Sequence, residues 1–236
     1  MMTLRSLLFN IWFVGATTGY GLVGVVFRVW APSRALGLAQ GWARTVLWGL
    51  QAICKVRVVV TGREHLPQGA ALIASQHQSA FDTVVWLTLV PRVSYVFKAE
   101  LGKVPLFGPL LVPAGQIPLD RAGGRKALRS LLEATVGAVA AGRQIVIFPE
   151  GTRMAPGAAV TLRPGIAAMA LRTGMPIIPV ATDSGQLWGR RAFHKRPGTI
   201  HVAIGRAVAA EGGQAAVLDA VRRAWAEQAA QFETCG

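Results

Sequence analysis

Charge is scarce in this sequence, and negative charge scarcer still. Charged residues make up 15% of the 236 positions, against about 25% in an ordinary soluble domain. Only 11 residues are Asp or Glu while 25 are Lys or Arg, a formal net charge of +14. With 52% of residues hydrophobic, the composition excludes disorder, which needs the opposite balance. It also implies that part of the surface faces something other than water. Cysteine is nearly missing: Cys54 and Cys235 are the only two. They lack the spacing of a metal site or a disulfide framework, so a reducing compartment fits them and both read as structural bystanders. No internal repeat or low-complexity tract is visible, which excludes a repeat architecture.

A field of this sign attracts anionic lipid, nucleic acid or small phosphorylated molecules, and says nothing about fold. A nucleic-acid binder would show a basic cluster interleaved with aromatics, or a recognisable motif. Here the arginines are scattered and the longest apolar run lies beside them. An anionic membrane surface is therefore the expected partner, and nucleic acid is not.

That run extends from Ser6 to Phe27 without a charge, bracketed by Arg5 and Arg28, with Trp12, Tyr20 and Trp30 along it or at its end. It has about the twenty residues a helix needs to cross the hydrocarbon core. It is too long for a secretory signal, and no small-x-small cleavage site follows it before Pro32. A second stretch, Ala35 to Cys54, carries Arg44 as its only charge and places Leu38, Trp42, Val46, Leu50 and Ile53 at three- and four-residue steps. One helical face is thus apolar. Two readings stand at this level: helices packed on a catalytic core, or helices broken at Ala31-Pro32-Ser33 that anchor the chain in or on a bilayer. Apolar length does not decide between spanning and lying flat. The expected division is an anchoring region over residues 1–56 and a catalytic domain over 57–236.

Beyond it, β-branched and apolar runs predict strands over 55–61, 70–75, 94–98, 116–119, 144–148, 176–181 and 199–204. Helical patterns fall over 76–90, 125–141, 166–173 and about 214–232. Alternation of this kind predicts an α/β fold with a largely parallel central sheet flanked by helices, preceded by the membrane-associating helical hairpin.

The chemistry centres on His77-Gln78-Ser79-Ala80-Phe81-Asp82, between a predicted strand and a predicted helix. Loops at the carboxyl ends of parallel strands commonly build sites. Residues five apart diverge by about 140° on a continuous helix, so His77 and Asp82 meet only if His77 lies in the loop and Asp82 in the first turn. The carboxylate would then fix the imidazole tautomer, freeing the other nitrogen to take a proton from an alcohol. Equally, Ser79-x-x-Asp82 matches a capping box, in which Asp82 only satisfies helix N–H groups. Phe148-Pro149-Glu150-Gly151-Thr152-Arg153 follows another predicted strand. Gly151 permits close backbone approach, and Arg153 could grip a phosphate through forked contacts or pair with Glu150. Arg121, after the strand near Gln116, and Lys98, closing Ser94–Lys98, add two more cations at strand ends.

Together these segments resemble the glycerophospholipid acyltransferase superfamily, specifically its bacterial 1-acylglycerol-3-phosphate acyltransferases. The HxxxxD block is His77 to Asp82, the GxIxxDR-like block Gly115 to Arg121, the FPEGTR block Phe148 to Arg153, and the proline-containing apolar block Ile177 to Val180. Lys98 to Gly108 and Asp183 to Arg191 are similar too, with Asp183 where members commonly have Asn. The resemblance runs from about Gly62 to about Ile204.

The resemblance implies acyl transfer from a thioester, acyl-CoA or acyl carrier protein, to the second hydroxyl of a lysophospholipid, giving phosphatidic acid. His77 would be the general base and Asp82 its orienting partner. Arg153, helped by Arg121 and Lys98, would hold the acceptor phosphate, while Glu150, Gly151 and Thr152 would position the acceptor. No serine or cysteine sits in a nucleophile setting, so direct attack is expected, with no metal and no cofactor beyond the thioester co-substrate. Met154-Ala155-Pro156-Gly157 and Leu162-Arg163-Pro164-Gly165 depart from the family's basic stretches, which favours Arg153 over Arg163 for phosphate. The implied location is the inner face of a bacterial cytoplasmic membrane. Rival readings are a different acceptor, such as lyso-ornithine lipid, and a non-catalytic membrane lipid-binding protein.

Overall fold

Two long helices open the chain, and Pro32 separates them. In the computed structural model, which describes residues 1–120 and 122–233, α1 (Met2–Trp30) and α2 (Ala35–Cys54) are joined by a 3-10 turn at Pro32–Arg34. Proline lacks an N–H and cannot continue a helix, but is tolerated in the first turn of the next one. Arg121 and Cys235 lie outside the described residues.

The sheet contains seven strands: β1 (Val56–Thr61), β2 (Ala71–Ser75), β3 (Val93–Lys98), β4 (Ile117–Leu119), β5 (Gln144–Ile147), β6 (Ile177–Thr182) and β7 (Gly198–Ile204). Their spatial order is β1-β7-β6-β2-β5-β3-β4. The five strands from β6 to β4 are mutually parallel, whereas β7 runs antiparallel to β6 and carries β1 parallel to itself. Five of the six pairings between these strands are parallel, so the sheet as a whole is largely parallel.

The helices α3 (Phe81–Leu89), α4 (Gly108–Leu111), α5 (Gly124–Ala140), α6 (Gly165–Thr173), α7 (Ser184–Leu187) and α8 (Gly213–Glu233) complete the fold. Strand β2 is buried at every residue, as a central parallel strand covered on both faces should be. Its Ala71 and Ile73 join Leu50, Phe81 and Trp86 in the core under α2 and α3. Its Leu72 and Ala74 join Ile166, Met169 and Trp225 in the core under α5, α6 and α8. Period-two alternation sends neighbours to opposite faces. Burying each large apolar side chain contributes about 1.5–3 kcal/mol.

Two differences from the sequence reading matter. The helical pattern over 76–90 becomes helix only at Phe81, leaving residues 76–80 as a loop in which the His77, Gln78 and Ser79 amides bond to side chains instead. The short helices α4 and α7, four residues each, were not anticipated, because a single turn leaves no periodicity to read.

Candidate active site

The topology brings the sequence blocks to one edge. His77 follows β2, Glu150 to Arg153 follow β5, Lys98 ends β3, and Asp120 follows β4, while Asp183 and Ser184 follow β6. These five strands are parallel neighbours, so all their carboxyl ends open on the same side.

His77 sits in the β2–α3 loop and Asp82 in the first turn of α3. His77 Nδ1 lies 3.2 Å from Asp82 Oδ2. That same oxygen accepts the Gln78 N–H at 2.7 Å and the Ser79 N–H at 2.8 Å, and Ser79 Oγ accepts the Phe81 N–H at 2.9 Å. Asp82 thus accepts two loop amides and also faces the imidazole. A carboxylate only accepts hydrogen bonds, so Nδ1 carries the proton and Nε2 is left with the lone pair. The His77 ring stacks on Phe148 with centroids 4.2 Å apart and planes at 22°. Packing and the carboxylate together fix its orientation.

The Phe148–Arg153 loop grips the histidine's backbone from the other side. Glu150 Oε1 accepts the His77 N–H at 2.9 Å, and the Met154 N–H donates to the His77 carbonyl at 2.8 Å. Glu150 is 6% exposed and does not pair with Arg153; its Oε2 has no hydrogen-bond partner among the described residues. Burial pushes its carboxyl up to about 8, against the lowering effect of the His77 N–H. The carboxyl is thus mainly neutral near pH 7, as an uncharged buried clamp should be. Gly151 adopts φ +71 with Arg163 lying against it, and the left-handed backbone suits glycine.

A cavity of about 950 Å³ opens at this edge, with His77, Lys98, Gly151, Thr152 and Arg153 on its wall. Arg163, Arg190 and Arg191 line it as well. Arg163, ranked behind Arg153 from the sequence, is thus at the site too, and Arg190 reaches the Arg153 carbonyl at 3.5 Å. Lys98 pairs with Glu100 at 3.1 Å, so its charge is partly answered. Among the described residues no ion pair neutralises Arg153, Arg163, Arg190 or Arg191. A wall of unpaired guanidinium groups suits an anion such as phosphate. The remaining wall is apolar and reaches the N-terminal helices, including Phe13, Tyr20, Leu38, Trp42, Phe107 and Leu110. One cavity therefore joins a histidine, a cationic rim and a greasy interior, dimensions suited to a ligand with both a charged head and a chain.

Arg190 and Arg191 lie in a recognised segment with no role assigned from the sequence; Gln78 and Ser184 likewise lie in recognised segments, and Gln76 just before one, with no role assigned to any of the three. Their contacts span more than a hundred residues of sequence, and no local pattern announces such a contact.

Residues 57–183 match a family model described as Acyltransferase. A 1-acyl-sn-glycerol-3-phosphate acyltransferase from Pseudomonas aeruginosa is 32% identical over 227 residues, 95% of this chain and 88% of the relative. One from Limnanthes douglasii is 31% identical over 189 residues, 78% of this chain and 65% of the relative. Among solved structures, the crystal structure of the 1-acyl-sn-glycerophosphate acyltransferase PlsC from Thermotoga maritima aligns with a TM-score of 0.67 at 23% identity, over 96% of this chain and 97% of that one. At that identity the structural likeness speaks for the fold.

Proposed function

This chain belongs to the acyltransferase family, and on that premise we propose that it acylates the sn-2 hydroxyl of 1-acylglycerol-3-phosphate, giving phosphatidic acid. The donor is an acyl thioester, either acyl-CoA or acyl carrier protein. The observation that carries this reading is the His77 imidazole, held from behind by Asp82, on the wall of a cavity rimmed by Arg153, Arg163 and Arg190. Relatives named for this reaction support the choice of acceptor.

In this mechanism the guanidinium groups hold the acceptor's phosphate while its acyl chain enters the apolar part of the cavity. His77 Nε2 takes the proton of the sn-2 hydroxyl, and the oxygen attacks the thioester carbonyl. Asp82 stabilises the imidazolium through Nδ1–H. When the tetrahedral intermediate collapses, the C–S bond breaks and the imidazolium returns its proton to the departing thiolate. General-base help of this kind is worth about 10²–10⁴-fold, and alignment of two bound substrates supplies much of the rest.

Residues 1–56 serve in this reading as the membrane anchor for the catalytic part, 57–236. Leu4, Leu7, Leu8, Ile11, Val14, Leu22, Val25, Val26 and Val29 are exposed along α1, a stripe at helical spacing. The opposite side docks on the protein along its length. Phe9 is buried edge-on against Trp188 at 5.3 Å, and Gly21 and Gly24 make room for Leu106 and Leu110. The helix, about 43 Å long at 1.5 Å per residue, thus lies against the catalytic body rather than projecting from it. Such a helix enters the bilayer sideways, in the interface plane, on the cytoplasmic side where acyl thioesters are made.

The test is His77→Ala, assayed by thiol release and phosphatidic acid formation with purified full-length protein. Transfer falls by at least 10² while the thermal midpoint is kept, because His77 leaves no buried donor behind. Parental turnover in that variant would end the proposal. A panel of lysolipids with and without phosphate decides the acceptor.

A further inference from the structure

Asp82 does not hold its position unaided. Its Oδ2 is occupied by His77, Gln78 and Ser79, but its Oδ1 accepts from one partner among the described residues, the Ser184 hydroxyl, at 2.6 Å. Ser184 and Asp82 are both buried, at 0% and 2% exposure, so neither has water as a substitute. A carboxylate held at one oxygen alone can turn about its Cβ–Cγ bond; a donor on each oxygen removes that freedom.

Ser184 is in turn placed by the loop it serves. The Gln76 and Gln78 side chains, on either side of His77, accept the Thr182 and Gly185 backbone N–H groups, each at 3.0 Å. These two bonds clasp the end of β6 on both sides of Ser184. The Ser184 N–H also donates to Thr182 Oγ1 at 3.2 Å. Asp183 is tied to β7, accepting the His201 N–H at 2.7 Å and facing His201 Nδ1 at 2.6 Å. The segment from Thr182 to Gly185 is therefore locked from the histidine loop and from the neighbouring strand at once.

We propose that Ser184 is a positioning residue of the reaction: its buried hydroxyl, fixed by Gln76 and Gln78, sets the carboxylate that orients the base. This inference rests on His77 being that base. Ser184 touches neither substrate in this scheme and acts wholly through Asp82. Removing one donor from a buried carboxylate that must stabilise a developing imidazolium lowers kcat about tenfold, and leaves substrate binding alone.

The experiment compares the parent, Ser184→Ala, Ser184→Thr and His77→Ala in full-length protein, with 1-acylglycerol-3-phosphate and an acyl-CoA. The expected result is a roughly tenfold loss of kcat in Ser184→Ala with both KM values within about twofold, and recovery of most of kcat in Ser184→Thr, which keeps the hydroxyl. Parental kcat in Ser184→Ala overturns the proposal. So does a loss in which both KM values rise in step, and so does a failure of threonine to restore rate. His77→Ala separates the two levels. If it keeps parental turnover, the base assignment itself is wrong; if it is inactive while Ser184→Ala is parental, only the role of Ser184 falls.

Discussion

Replacing Asp82 by Asn and by Ala separates charge from architecture. Asp82 Oδ2 takes the His77 Nδ1–H and two backbone N–H groups, and Oδ1 takes the Ser184 hydroxyl. An asparagine can place its amide oxygen where Oδ2 stands and its NH₂ toward Ser184, whose hydroxyl turns to accept. The loop stays satisfied and His77 keeps its tautomer; what disappears is the negative charge facing the imidazolium. A hydrogen bond to a charged group is worth about 1.5–3 kcal/mol, so kcat falls by about 10–10² with the thermal midpoint nearly unchanged. Alanine removes the acceptor as well, stranding the Gln78 and Ser79 amides and the Ser184 hydroxyl in a buried setting. Each orphan costs about 1–3 kcal/mol, and at this chain length each kcal/mol moves the midpoint by about 2–4 °C. With three such groups stranded, Asp82→Ala should therefore lose activity and also melt at least about 6 °C lower. The assay pairs thiol release with thermal denaturation. Parental kcat in Asp82→Asn, or an unchanged midpoint in Asp82→Ala, would refute this account of the carboxylate.

Arg153→Ala should raise the acceptor KM by about 10–10² with a smaller change in kcat, because it removes a charged contact made in both ground and transition states; an unchanged acceptor dependence would take Arg153 out of the phosphate site. Glu150 gives a pH signature. Its carboxyl is raised by burial from 4.5 to about 8, so the folded chain binds the proton more tightly than the unfolded one. The associated stability is complete below 4.5 and is lost as pH climbs to about 8. Glu150→Gln keeps an acceptor for the His77 N–H and should flatten that decline in a series of midpoints; parallel curves for the two proteins would contradict the assignment. Substituting Leu8, Ile11 and Leu22 together by Glu should cut association with anionic vesicles at least tenfold in a flotation assay, since each apolar side chain contributes on the order of 1 kcal/mol or more to burial. Undiminished flotation would mean that the α1 stripe is not what meets the bilayer.

Two stretches of sequence carried most of the site. His77 to Asp82 and Phe148 to Arg153 each sit after a short apolar run that reads as a buried strand, and local order sufficed to place them at strand ends. The helices of the N-terminal region were equally plain, because Pro32 and the three- and four-residue apolar steps are local facts. What escaped was whatever depends on strand order. That β7 turns back against β6 has no local mark, and Arg163, Arg190 and Ser184 come to the His77 edge only because β5, β2 and β6 lie side by side.

The amino-acid sequence by itself determined the α/β alternation, the apolar hairpin and the residue types able to move a proton and hold an anion, since these follow from periodicity, propensity and side-chain chemistry within a few residues. Only the tertiary structure decided that the Asp82 carboxylate is held at both oxygens, that Glu150 serves the His77 backbone from a buried position, and that α1 lies along the catalytic body. Those are relations between segments tens to a hundred residues apart, and hydrogen bonding and burial at such separations are set by packing, which no local pattern encodes.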